Sequence, residues 1–175
     1  MTILTAGPAD GTLSLHTGVE GRASKLGHAL TIALSEWSAT AELDGDKLVS
    51  VQITAALASL SVVSGAGGVK PLSDKDKVSI RDNALETLKA SSHPEVQVTS
   101  TSVTPTAAGY DVAVQVSIAG AVRPAVLAVT VDGNHITGET GIVQTQHGLS
   151  PYSAMMGGLK VTDRVEVRLD VTVTR

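Results

Sequence analysis

Apolar and polar residues alternate with period two through most of this chain. Leu13, Leu15, Thr17 and Val19 share one face of a stretch from Thr12 to Val19, and Ser14 and His16 point the other way. Leu30, Ile32 and Leu34 share the next face. Trp37, Ala39, Ala41 and Leu43 continue on the opposite parity, so the register slips near Glu36, the mark of a bulge or bend that curves a sheet. Asp44-Gly45-Asp46 is a hairpin turn leading into Lys47–Leu60, a stretch made mostly of Val, Ile, Leu, Ala and Thr. Later strands are predicted at Val96–Val103, at the stripe Tyr110, Val112, Val114, Val116 and Ile118, and at Ala125, Leu127, Val129 and Val131. Asp132-Gly133-Asn134 then turns the chain into His135–Gln144, and Val165, Val167, Leu169, Val171 and Val173 form the last stripe.

One stretch breaks the alternation. Ser64-Gly65-Ala66-Gly67-Gly68 reads as a flexible loop. Ser73 and Asp76 then have the spacing of a capping box, and Ile80, Ala84, Leu85 and Leu88 recur at helical spacing. His93-Pro94 stops the helix, because the residue before proline avoids the α region. The prediction is one inserted helix over about residues 74–90. Gly148 to Gly158, rich in Gly and Met, reads as a loop.

About eight strands with one dry face each are most economically solved by closing the sheet, which removes its edges. The expected fold class is all-β: an eight-stranded antiparallel barrel with one inserted α-helix, in a single domain spanning 1–175. A two-sheet sandwich is the structural alternative. A barrel of this size holds its own side chains or one small ligand. There is no Phe, one Trp and two Tyr, so Val, Leu, Ile and Ala must fill the interior. Small side chains tip the balance toward a ligand.

Charge and composition then remove function classes. With 13 basic and 17 acidic residues the net charge is −4, and no basic block marks a nucleic-acid or polybasic membrane footprint. There is no cysteine, hence no disulfide and no thiolate metal site. No apolar run approaches the roughly 18 residues of a spanning helix, so an integral membrane protein is not expected. The N-terminus lacks the basic start of a secretory signal, which makes the cytoplasm the expected location.

The order of segments resembles the YceI-like family of lipocalin-like barrels, over nearly the whole chain. Arg81-Asp82-Asn83-Ala84-Leu85 followed by His93-Pro94-Glu95-Val96-Gln97-Val98-Thr99-Ser100 is similar to the family's helix and following strand. Val116 to Val126, with Gly120 and Arg123-Pro124, is similar to its strand–turn–strand unit. His28 falls where many members have a His, and Thr145 to Ser153 resembles the last loop of actinobacterial members. Val98 stands where the family strand usually has Phe, and Asn83-Ala84 replaces the more common His-containing pair. The resemblance implies a lipocalin-like barrel that binds polyisoprenoids or other amphiphilic lipids.

No motif for catalysis is present. The chain has neither a Gly-x-Ser-x-Gly elbow nor a paired acid/base couple, and the glycines of residues 65–68 lack the Gly-Lys-Ser/Thr of a phosphate loop. The five histidines show no metal-ligand spacing and read as scattered surface or loop-end residues. An enzyme is not expected, nor a cofactor or a metal. His28 is the exception among the histidines, placed by the resemblance beside an apolar strand at the barrel mouth. Arg81 and Asp82 do not face each other on a helix, so each pairs elsewhere; Arg81 either makes a surface ion pair or faces a head group. Tyr152, Met155 and Met156 in a Gly-rich loop form a soft apolar surface that gates a cavity, plugs the barrel end or contacts a second copy of the chain. Trp37 is a core or cavity-wall residue whose indole N–H needs a partner.

The expected function is non-catalytic binding or transport of an apolar or amphiphilic small molecule, an isoprenoid or other lipid. The expected ligand-binding residues are His28, Trp37, Arg81, His147, Tyr152 and Met155. The alternative is a ligand-free structural or stress-related interaction module with a filled barrel, expected to be a homodimer.

Overall fold

The computed structural model describes residues 1–174. In chain order the strands are β1 (Thr2–Ala6), β2 (Gly11–His16), β3 (Val19–Glu20), β4 (His28–Leu34), β5 (Trp37–Asp44), β6 (Lys47–Ala56) and β7 (Leu60–Gly67). The helix α1 (Asp74–Thr87) follows. Then come β8 (Glu95–Pro105), β9 (Gly109–Ile118), β10 (Ala121–Asp132), β11 (His135–Val143), β12 (Ser153–Ala154), β13 (Leu159–Val161) and β14 (Arg164–Thr172). Eleven strands form one curled antiparallel sheet in the order β1-β5-β6-β8-β9-β10-β11-β14-β2-β4-β7, and β12-β13-β3 form a second, small one.

The predicted eight reappear once two bends are followed. Between β4 and β5 the chain bends at Ser35-Glu36, where the parity slips; between β6 and β7 it makes a 3₁₀ turn at Leu57–Ser59. Hydrogen bonds cross this corner from Ser35 N to Ser59 O (3.4 Å) and from Ala56 N to Glu36 O (2.9 Å). Each pair therefore acts as one long bent strand. Strand β4 pairs with β2 on its other side, so the circuit β2, β4–β5, β6–β7, β8, β9, β10, β11, β14 returns to β2. Inward positions make the core: Val112, Val114 and Val116 of β9 are almost fully buried, with Leu57 and Leu60 at the corner.

Four local expectations are corrected. Strand β1 was not anticipated and extends the sheet beside β5. The long stretch Lys47–Leu60 is interrupted at Leu57–Ser59. The glycine-rich segment taken as a flexible loop continues β7 as far as Gly67, paired with His28–Thr31. Leu72 and His28 pack closely on Gly65, where a Cβ would lie 2.6 Å from Leu72 Cδ1 and 3.0 Å from His28 Cβ, so a larger residue requires them to shift. Finally, the Gly148–Gly158 loop contains β12.

The helix begins as predicted. The Ser73 hydroxyl accepts from Asp76 N (3.1 Å) and the Asp76 carboxylate accepts from Ser73 N (3.0 Å), a capping box that holds the Asp76 carboxyl below the ordinary range. It ends at Thr87, before the expected Ala90, because Lys89 turns left-handed (φ 55°). Ala90 N then bonds Leu85 O and Lys89 N bonds Glu86 O, both at 3.0 Å, the Schellman pattern. Glycine is the usual residue at that position, since an L side chain there costs about 1 kcal/mol. Lys89→Gly is therefore expected to stabilise the protein by about 0.5–1 kcal/mol in urea unfolding, despite losing a long hydrogen bond from Lys89 Nζ to Gly148 O (3.3 Å).

The sheet also splits. Pairing between β10 and β11 stops at Ala128 and Glu139, so Ala121–Leu127 and residues 140–143 are not partnered with each other. The segment after β11 fills the opening. Gln144–His147 form a 3₁₀ turn, His147 donates from Nδ1 to Ala121 O (3.1 Å), and Leu149 is buried beside Leu127 and Ile142.

Candidate ligand-binding site

The curled sheet surrounds a cavity of about 340 Å³. Its wall comes from alternate residues of the circuit, such as Leu13 and Leu15 of β2, Ile32 of β4, Val114 and Val116 of β9, and Val167 of β14. Helix α1 closes one side with Ile80, Asn83, Ala84, Thr87 and Leu88, the i, i+3, i+4, i+7, i+8 face of a helix. The helix is held there by Arg81, whose Nε donates to Leu60 O (2.8 Å) and whose guanidinium donates again to Ala58 O (2.6 Å). The small sheet covers another side: Val19, Leu159 and Val161 lie on the wall, and Val19 pairs with Val161.

Among the described residues no carboxylate lines this space. Lys160 lies on the wall between Leu159 and Val161, at the opposite parity, with Glu20 across from it. The polar lining is otherwise uncharged hydroxyl and amide groups plus the His28 ring: Thr17, Asn83, Thr87, Thr140, Gln144 and Tyr152. Gln144 is buried; its amide nitrogen donates to Thr162 O (3.0 Å), and its carbonyl oxygen has no donor among the described residues. The turn that presents it is fixed by Asp163, whose carboxylate accepts from the Thr145 hydroxyl (2.6 Å) and amide (2.8 Å). Those two bonds, the hydroxyl's first, hold the Asp163 carboxyl below its ordinary range.

His28 and Tyr152 of the expected set lie on the cavity wall. His28 Nε2 donates to Lys70 O (2.7 Å), which leaves Nδ1 of the neutral ring as an acceptor. The ring packs so closely on Gly68 that a Cβ there would lie 2.5 Å from it. The other four expected residues are placed outside the lining. Trp37 is buried in the core cluster with Leu34 and Ala55, and its indole N–H has no hydrogen-bond partner among the described residues. Arg81 is turned toward the backbone carbonyls of Leu60 and Ala58, and against expectation its Nη1 also lies 4.0 Å from Asp82 Oδ1. His147 closes the split between β10 and β11. Met155 is exposed on the outer surface.

Four wall residues were not anticipated, although the sequence carried a signal for each. Thr140 and Gln144 interrupt an inward stripe that runs along β11 into the 3₁₀ turn after it (Ile136, Gly138, Thr140, Ile142, Gln144), and polar side chains on a dry face ask for an explanation. Asn83 and Thr87 interrupt the apolar face of α1 in the same way. The side chains of Asn83, Thr87 and Thr140 have no hydrogen-bond partner among the described residues.

Among the described residues no group of three or more His, Cys, Asp or Glu side chains is placed to hold a metal ion. No described helix is long and apolar enough to cross a membrane.

A curled antiparallel sheet around an apolar cavity, with a helix laid along one side, defines a lipocalin-like architecture. The chain belongs to the YceI-like family, whose domain model matches residues 11–173. Solved structures agree in fold. BcnA of Burkholderia cenocepacia is similar with a TM-score of 0.66 at 18% identity, covering 95% of this chain and 98% of that one. The Campylobacter jejuni YCEI protein is similar with a TM-score of 0.57 at 14% identity, covering 82% and 84%. No curated protein matches the chain.

Proposed function

We propose that this protein binds and carries an apolar or amphiphilic small molecule, an isoprenoid or other lipid, without chemical change. The observation that carries this reading is the cavity of about 340 Å³ walled by Leu, Val and Ile. Its volume lies within the roughly 300–1,000 Å³ of small-molecule sites. A filled barrel acting only as an interaction module would not need this space. The lining offers no nucleophile with a base beside it, and its single His is tied to the Lys70 carbonyl. Membership in the YceI-like family supports the same reading.

The binding mechanism is passive. Each methylene moved from water into the cavity contributes about 0.8 kcal/mol, about fourfold in affinity. The gain continues until the tail fills the cavity, and further carbons stay outside. The unpaired side chains of Asn83, Thr87 and Thr140 and the carbonyl oxygen of Gln144, with His28 and Tyr152, suit an uncharged polar head such as an alcohol, ester or ketone. A buried cation would find no carboxylate among the described wall residues.

The test has two arms. An organic extract of the purified protein is analysed by mass spectrometry, and a series of linear and prenyl alcohols is titrated. Affinity is expected to rise about fourfold per carbon and to level off once the tail fills the cavity. No co-purifying lipid, together with no binding of any long-chain prenyl or acyl probe, overturns the reading.

A further inference from the structure

Three stretches far apart in sequence meet around the cavity mouth. Residues 19–28 and 152–161 are joined by the β3–β13 pairing and by a bond from Ala23 N to Gly158 O (2.6 Å). Residues 68–70 join them through the bond between His28 and Lys70. From these stretches Leu26 and Tyr152 reach the cavity wall and are also exposed to solvent. Val69, Met155 and Met156 are exposed beside them, the last two at 57% and 102% of full accessibility. Met155 and Met156 both adopt left-handed backbone (φ 53° and 56°), a conformation that L residues other than Asn and Asp rarely adopt. The chain thus holds two flexible apolar side chains outward, where burial would have been the ordinary outcome.

The charges at this mouth oppose those of the molecule. Arg22, Lys25, Lys70 and Lys160 belong to the three stretches, against one carboxylate, Glu20, while the chain as a whole carries −4. Among the described residues none of the four cations has a carboxylate within ion-pair distance, although Lys160 lies near enough to Asp163 to help lower its pKa. The adjoining first turn of α1 is balanced, with Asp74 and Asp76 against Lys75 and Lys77. The cations are scattered in sequence, so no polybasic run announces them; the fold gathers them.

We propose that this rim is a docking surface for an anionic lipid bilayer. The methionines, Val69 and Leu26 enter the acyl boundary, Tyr152 sits at the head-group level, and the four cations meet the negative surface. A rim placed this way sets the cavity mouth against the membrane. Docking is a property of the outer surface and does not depend on what the cavity holds.

The experiment is co-sedimentation of the full chain with vesicles. Vesicles of phosphatidylserine and phosphatidylcholine at about 3:7 are expected to bind about tenfold more protein than pure phosphatidylcholine, with the difference abolished at about 0.5 M salt. The pair Met155→Asn and Met156→Asn keeps residues that tolerate left-handed backbone and is expected to lose binding. Lys25→Glu with Lys70→Glu is expected to lose the preference for anionic lipid. Lys47→Glu, on the β5–β6 turn at the far end of the bent strands, is expected to change nothing beyond a few tens of per cent. Circular dichroism of each variant checks the fold. Equal binding to both vesicles, no binding, or indifference to the rim variants overturns the proposal. So does a dimer in sedimentation velocity that the methionine variants dissolve, which would assign the rim to a second copy of the chain.

Discussion

Thr140→Trp is expected to abolish uptake of apolar probes while the barrel stays folded. Thr140 lies on the cavity wall at an inward position of β11, and its hydroxyl makes no hydrogen bond with any described residue. Removing that hydroxyl therefore leaves no partner unpaired, which is where the cost of deleting a polar group usually lies. The ring enters empty space instead of displacing packed side chains, so the overpacking cost of about 1–3 kcal/mol seen in dense cores is an upper limit here. The ring consumes room that a tail would occupy, and every displaced methylene removes about fourfold in affinity. Affinity for a ten-carbon alcohol should fall by at least about a hundredfold, measured by titration calorimetry, with near-UV circular dichroism and cooperative unfolding retained. Thr140→Val should bind as the parent does or slightly better. Undiminished binding to the Trp variant would move the ligand out of this cavity.

Leu60→Ala carries the largest expected effect on stability, about 3 kcal/mol. Leu60 is 1% exposed and starts β7 at the corner where the two bent strands turn. Its side chain belongs to the cluster formed by Leu13, Ile32, Leu34 and Val62, and it also touches the cavity. Truncation removes the transfer free energy of the lost carbons and enlarges a void that already exists. The backbone carbonyl of Leu60 still receives Arg81, so the helix keeps one anchor and the loss stays in packing. For a chain of this size the melting temperature should fall by about 6–12 °C. An alkyl alcohol bound in the enlarged space should restore part of that loss by mass action. A fall under about 1 kcal/mol would mean that the corner is not packed as described.

How much of this could be read in the amino acids depends on which interaction decides each element. Period-two alternation reports burial of one face, so β2, β4, β5, β9, β10 and β14 were legible, as was the capping box of α1. The parity slip at Glu36 marked a real bend. What it did not convey is that the bend joins two strands into one stave and so completes the circuit. Residues 64–67 were misread because glycine signals freedom when its neighbours are unknown and close packing when they are known. The cavity residues divide in the same way. Apolar wall positions followed from alternation alone. Arg81 and His147 looked like ligand groups because their partners are backbone carbonyls of distant segments, Ala58, Leu60 and Ala121, to which side-chain patterns are blind. Thr140 and Gln144 went unnoticed because they were read as ordinary strand residues instead of exceptions to a dry face.

The pairing of β14 with β2 joins Glu166–Val171 to Gly11–His16 and closes the circuit between its earliest and latest members. Synthesis runs from one to the other. While a nascent chain lacks β14, both β2 and β11 present rows of unpaired backbone groups, and the apolar interior has one side open to water. Neighbouring hairpins such as β9–β10 can form early, at low contact-order cost, but the barrel as a whole must wait for the last strand to leave the ribosome. The interval before that moment is when this chain is most exposed to edge-to-edge aggregation.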